Sequence, residues 1–223
     1  MSVVLASTAN SQILCFANEA PDDAEIVSRH SVLISFSPRL KPDDQVSAMT
    51  RGRAVSLLPA ALGVEGTLEY RVQTVKKSDT GTAVSLWHDT PLYVVDHNNK
   101  HVGAYHFICE IPKCTRRKFE IATDEEGTPI KQDEKKGVLR EFKRGDLMFN
   151  YGCFPRTWED PDYVHPDTGV GGDNDPIDVC EIGLRQVPTG GVRPVKVLGV
   201  LAMIDDGETD WKVCLWTFPP PPL

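Results

Sequence analysis

From Leu68 onward this chain is written as short β-like runs broken by turn residues, with almost no stretch of 3.6-residue periodicity. Residues 68–72, 92–95, 105–111, 118–121, 195–204 and 211–216 are the main runs, and Gly, Pro and Asp separate them. Many short strands with such turns predict a mainly β domain, a small barrel or a sandwich. The closing Phe218-Pro219-Pro220-Pro221-Pro222-Leu223 cannot extend a central strand, because proline offers no N–H to a ladder. No internal repeat is visible.

Residues 1–63 have a different texture, with mixed charges, small residues and breaks at Pro21, Pro38, Pro42 and Pro59. They read as a poorly ordered leader to a β domain over 64–216, with a proline-rich tail over 217–223. The leader lacks the basic start and apolar core of a signal peptide, and Asp22, Asp23 and Glu25 are unlike an acid-poor transit peptide. Cytoplasmic residence is therefore expected, with a plastid or mitochondrion as the alternative if the leader targets. Translation from Met49 is a second way to read the same stretch. The longest apolar run, 197–204, is eight residues, too short to span a bilayer.

Six cysteines are scattered without zinc spacing or a CxxC pair, as expected of reduced thiols. The chain carries 24 Lys and Arg against 32 Asp and Glu, a formal charge of −8, which repels a nucleic-acid backbone. Its partners should be small or metal-bearing.

The acidity is concentrated. Residues 173–181 and 205–210 together hold eight carboxylates and no Lys or Arg, a number equal to the whole net charge. Two carboxylates about 4 Å apart repel by roughly 4 kcal/mol at an effective dielectric near 20, so a gathered set must protonate or bind a cation. An acidic loop is ordinarily just solvated surface, but here two clusters carry embedded hydrophobic residues. Asp205-Asp206-Gly207-Glu208 lies between two strand-like runs with the Asp-Gly signal of a tight hairpin, which would hold Asp205 and Asp210 at one mouth of a sheet. Asp173 and Asp175 share a face if their segment is extended; Asp178 has the other parity, so bringing all three together requires a bend. Oxygen ligands without His or Cys favour Mg²⁺, Mn²⁺ or Ca²⁺ over zinc.

Other acidic or phosphate motifs fail. An EF-hand loop is broken by Ile177, Asp178 and Leu184 at its fifth, sixth and twelfth positions, and no GxxxxGK[ST] loop is present.

The stretch Asp173-Asn174-Asp175-Pro176-Ile177-Asp178-Val179 resembles the signature of the family I soluble inorganic pyrophosphatases of eukaryotic type. Five further stretches agree in order. They are Trp87 to Leu92, Glu110 to Lys113 with Lys118 to Ile121, Lys135 to Arg140, Asn150-Tyr151-Gly152 through Thr157 to Pro161, and Asp205 to Lys212. The resemblance runs over residues 64–213.

It implies an OB-type five-stranded β-barrel with peripheral loops and short helices, and magnesium-dependent hydrolysis of pyrophosphate to two phosphates by a metal-activated water. By position, Asp173, Asp178, Asp205 and Asp210 resemble the family's metal ligands, with Glu120 and Glu110 completing the acidic cavity. Asp175 resembles the general base and Tyr151 the phenol beside the nucleophilic water. Arg140, Lys118 and Lys212 resemble the cations that hold phosphate. Several Mg²⁺ ions per active site are implied, with Mn²⁺ as a substitute, and a homodimer is one assembly to expect. The family continues past Asp210-Trp211-Lys212 with a covering helix and a Tyr-Lys pair, whereas this chain has no tyrosine after Tyr163 and reads as C-terminally truncated. The alternative function is accordingly a catalytically impaired pyrophosphatase-like fragment that binds metal or a partner.

Overall fold

The computed structural model describes residues 57–76 and 83–217, together with the backbone of three short strands nearer the start. In chain order the strands are β1 (Val4–Thr8), β2 (Ser11–Cys15), β3 (Glu25–Ile26), β4 (Leu57–Leu62), β5 (Arg71–Lys76) and β6 (Ala83–Val84). A single turn of helix, α1 (Leu86–Asp89), follows. Then come β7 (Tyr93–Val95), β8 (His101–Ile111), β9 (Phe119–Ile121), β10 (Ile130–Gln132), β11 (Glu134–Lys135) and β12 (Val138–Leu139). The last four are β13 (Asn150–Cys153), β14 (Asp178–Glu181), β15 (Val192–Asp205) and β16 (Glu208–Thr217).

Five of these strands close on themselves. β8 pairs with β13, β13 with β14, β14 with β16, β16 with β15, and β15 returns to β8. Numbered along the chain, the ring reads 1-2-3-5-4-1, with β14 and β16 parallel and every other pair antiparallel. The protein is thus mainly β, with the OB-type barrel expected from the resemblance. Closure removes the free edges that an open sheet of this length would expose.

A second sheet of order β4-β5-β10-β9, with β6 on β5, packs beside the ring. Its β4 lies inside the stretch read from sequence as leader, paired with β5 from Leu57↔Lys76 to Leu62↔Arg71. Most of residues 1–56, and the proline-rich tail beyond Thr217, lie outside the described residues.

Side-chain alternation along the ring strands explains the packing. Phe107 and Cys109 of β8, Val179 of β14, Val195 of β15, and Val213 and Leu215 of β16 form one buried cluster inside the ring. Residues of the other parity, including Ile108, Cys153, Cys180 and Cys214, together with Ile111, which an irregularity in the β8–β13 register turns to the same face, pack with Val72, Phe119, Ile121 and Ile130 of the second sheet. Completely burying a side chain such as Phe107 or Leu215 contributes about 1.5–3 kcal/mol. Glu110, Tyr151, Asp178, Asp210 and Lys212 share this second parity, so the strands present them outside the barrel interior, next to the second sheet. Among the described residues no helix is long and apolar enough to cross a membrane.

Candidate active site

The β15–β16 hairpin is built as its Asp-Gly pair requires. Asp205 pairs with Glu208, and the two residues between them, Asp206 and Gly207, have φ of 48° and 87°, the positive values of a type I′ turn. Asp210 pairs with Met203, which sets it diagonally across the ladder from Asp205 on the same face. Two residues further, Lys212 lies opposite Asp178 on parallel β14.

The bend that the first cluster requires falls on Asn174, whose φ is 72°. Asparagine tolerates this left-handed conformation better than most residues. The Asp175 N–H donates to Asp173 Oδ1 at 2.9 Å, closing an Asx turn that folds the two aspartates together before β14 begins on Asp178.

All eleven residues singled out in the sequence line one cavity of about 1150 Å³: Asp173, Asp175, Asp178, Asp205, Asp210, Glu110, Glu120, Tyr151, Arg140, Lys118 and Lys212. Their settings differ. Glu110 is buried, with Oε1 accepting the Ile121 N–H at 2.7 Å, and its pKa is pushed up to about 8 by burial and then by Asp178. Burial and neighbouring carboxylates likewise raise Asp173 to about 7 and Asp210 to about 6. Asp175 and Glu120 are raised too, chiefly by burial. Burial, reinforced by Asp178, holds the Tyr151 phenol well above its ordinary value, so it stays protonated.

The cations are already engaged. Lys212 Nζ donates to both Asp178 and Asp210. Burial works against its charge, yet these two carboxylates keep its pKa above that of an ordinary lysine. Lys118 Nζ donates to Asp133 Oδ2 at 2.7 Å and to Glu120 Oε2 at 3.4 Å, and Arg140 donates to the same Asp133 oxygen.

Three features escaped sequence reading. Asp133, with its side chain 12% exposed, couples Lys118 to Arg140, but in the run Gln132-Asp133-Glu134 nothing distinguishes it from a surface carboxylate. Glu159 is 6% exposed, and its side chain lies with Asp173 and Asp210 so that one ligand oxygen from each falls within 4.8 Å of the others. Burial, then Asp173, pushes Glu159 up to about 10. Its only sequence signal is its place in Thr157-Trp158-Glu159-Asp160-Pro161. Conversely, Glu181 belongs to the acidic count but not to the cavity. Its oxygens accept from Asn150 Nδ2 at 2.7 Å, Thr217 N at 2.8 Å and Gly183 N at 3.0 Å, a fully partnered structural role.

The donor set suits a hard divalent cation, because it is all oxygen. Moreover, Asp205 Oδ1 and Glu159 Oε2 are buried without a hydrogen-bond partner, acceptors that a cation would satisfy.

A family model described as inorganic pyrophosphatase matches residues 107–217. The chain is 48% identical over 180 residues to soluble inorganic pyrophosphatase 1, chloroplastic, from Chlamydomonas reinhardtii, covering 78% of this chain and 60% of that protein. Among solved structures, a recombinant inorganic pyrophosphatase from T. brucei brucei superposes with a TM-score of 0.70 at 47% identity, covering 77% of this chain and 52% of that one. An N-terminally truncated Trypanosoma cruzi vacuolar soluble pyrophosphatase in complex with PPi gives 0.69 at 44% identity, covering 87% and 73%. The chain spans about half the length of most of the curated relatives it matches.

Proposed function

Because the chain belongs to the inorganic pyrophosphatase family, we propose that it hydrolyses inorganic pyrophosphate to two phosphates with Mg²⁺, for which Mn²⁺ substitutes. The observation that carries this reading is the convergence of acidic and basic side chains from five separate stretches on one cavity.

Asp173, Asp178, Asp205 and Asp210 would hold the cations, with Glu110 and Glu120 completing the acidic lining. Bound there, divalent cations supply charge neutralisation of the phosphates and a lowered pKa for a coordinated water. The chain's own groups do the rest. Asp175 takes the proton of the attacking water; its raised pKa brings it closer to the working pH, which suits a base that must also release that proton. The protonated Tyr151 phenol donates a hydrogen bond beside that water. Lys212 is held at the acidic end by Asp178 and Asp210, whereas Lys118 and Arg140 are held together by Asp133. This gives the two phosphoryl groups separate cationic partners that are positioned before substrate arrives.

The proposed compartment is the cytoplasm, with an organelle as the alternative if residues 1–63 target. The test is phosphate release from pyrophosphate by the 223-residue chain, with and without Mg²⁺. Release that requires Mg²⁺ is expected. Mg²⁺ binding without phosphate release establishes the impaired, metal-binding alternative instead.

A further inference from the structure

Glu159 touches both acidic clusters. Its backbone is stitched to the first: the Glu159 N–H donates to Asp175 O at 2.9 Å, and its carbonyl accepts the Asn174 N–H at 3.0 Å. Its side chain reaches the second, where Oε1 accepts the Trp211 N–H at 3.0 Å, next to Asp210. The approach is possible only because residue 172 is glycine. A Cβ there would lie 2.4 Å from the Glu159 carbonyl carbon and oxygen and 2.8 Å from its Cβ.

With Oε1 committed to Trp211, Oε2 is buried and unpartnered, in a side chain only 6% exposed. A neutral packing role leaves this unexplained, because a buried carboxylate oxygen without a partner is costly and a leucine or methionine would fill the space without that cost. A cation explains it. One oxygen from each of Glu159, Asp173 and Asp210 lies within 4.8 Å of the other two, close enough for all three to reach a single ion.

We propose that Glu159, through Oε2, is a ligand of the divalent cation held by Asp173 and Asp210. The proposal rests on the reading of those two aspartates as cation ligands. In this arrangement the Trp211 N–H fixes the glutamate's orientation, and the ion brings together loop and strand residues whose segments also meet through backbone contacts of Gly171 and Gly172 with Thr209.

The experiment is calorimetric titration of the metal-free full chain with Mn²⁺, in the absence of pyrophosphate, for the wild type, Glu159→Gln and Asp210→Asn. The Gln variant keeps the volume and the acceptor for Trp211 but loses the charge. Glu159→Gln should weaken one Mn²⁺ site by about tenfold or more. It should also shrink the rise in melting temperature caused by Mn²⁺ while leaving the metal-free melting temperature near that of the wild type. If Asp210→Asn loses Mn²⁺ and Glu159→Gln does not, Glu159 is not a ligand. If both variants bind as the wild type does, the assignment of the aspartates fails as well. Should Glu159→Gln not fold, anomalous scattering from Mn²⁺-soaked wild-type crystals decides. A peak roughly 2.0–2.3 Å from Glu159 Oε2 supports the proposal, and one bonded only to the aspartates overturns it.

Discussion

The metal-free protein should become less stable as pH rises through neutrality, with Glu110 and Glu159 as the two largest single contributors. Glu110 is 5% exposed, and burial followed by Asp178 raises its pKa from 4.5 to about 8. A folded-state pKa above the unfolded one means that the native state holds the proton more tightly. The resulting stability is fully present below about pH 4.5 and is lost as pH climbs through about 8. The full shift corresponds to about 5 kcal/mol, of which roughly 3–4 falls between pH 5 and pH 8. Water entering the cavity and relaxation of the fold make this an upper figure, yet even half of it is a large fraction of the stability of a typical domain.

The assay is urea unfolding in EDTA at intervals from pH 5 to pH 8.5, for the wild type and Glu110→Gln. The wild type should lose stability steadily, whereas Glu110→Gln, which keeps an acceptor for the Ile121 N–H, should have a distinctly flatter profile. Saturating Mg²⁺ should flatten or reverse the wild-type slope, because cation binding requires deprotonated carboxylates and releases their protons. A Glu110→Gln variant with the same slope as the wild type would refute the assignment, and so would metal-free stability that increases with pH.

Two further substitutions separate roles inside the cavity. Asp175→Asn should leave Mg²⁺ affinity intact in calorimetry while turnover falls by about 10²–10⁴-fold; loss of Mg²⁺ binding would make Asp175 a ligand rather than a base. Asp133→Asn removes the shared anion that aligns Lys118 and Arg140, so KM for pyrophosphate should rise about tenfold, in line with a lost charged hydrogen bond of roughly 1.5–3 kcal/mol. An unchanged KM would mean that the two cations are positioned without it.

The strands and the hairpin were legible because their signals are local. Asp206-Gly207 between two β-like runs dictates a type I′ turn whatever surrounds it. Ring closure was not legible from periodicity, because it depends on β15 meeting β8 at Val192↔Ile108, a contact between residues far apart in sequence. The pattern left a small barrel and a sandwich open, and the resemblance pointed to the barrel. Pro59 illustrates another limit: read as a break in the leader, it sits in β4, at the end of its sheet's strand order, the place in a sheet where proline is tolerated.

Within the site, residue type announced the acidic clusters, but strand parity decides which carboxylates serve. Asp178 and Glu181 stand three residues apart on β14 and therefore point to opposite faces. Asp178 faces the cavity and Lys212, while Glu181 turns away to Asn150 and Thr217. The intervening Val179 lies inside the ring. A one-residue slip of β14 would place Val179 where Asp178 now meets Lys212 and drive a carboxylate into the barrel interior, at a cost of several kcal/mol. The register that buries the barrel core is therefore the same register that assembles the acidic site. Asp133 and Glu159 escaped sequence reading for a related reason. Neither lies within the named strands, so no parity argument reaches them, and their roles follow from which loop the closed ring brings alongside the cavity.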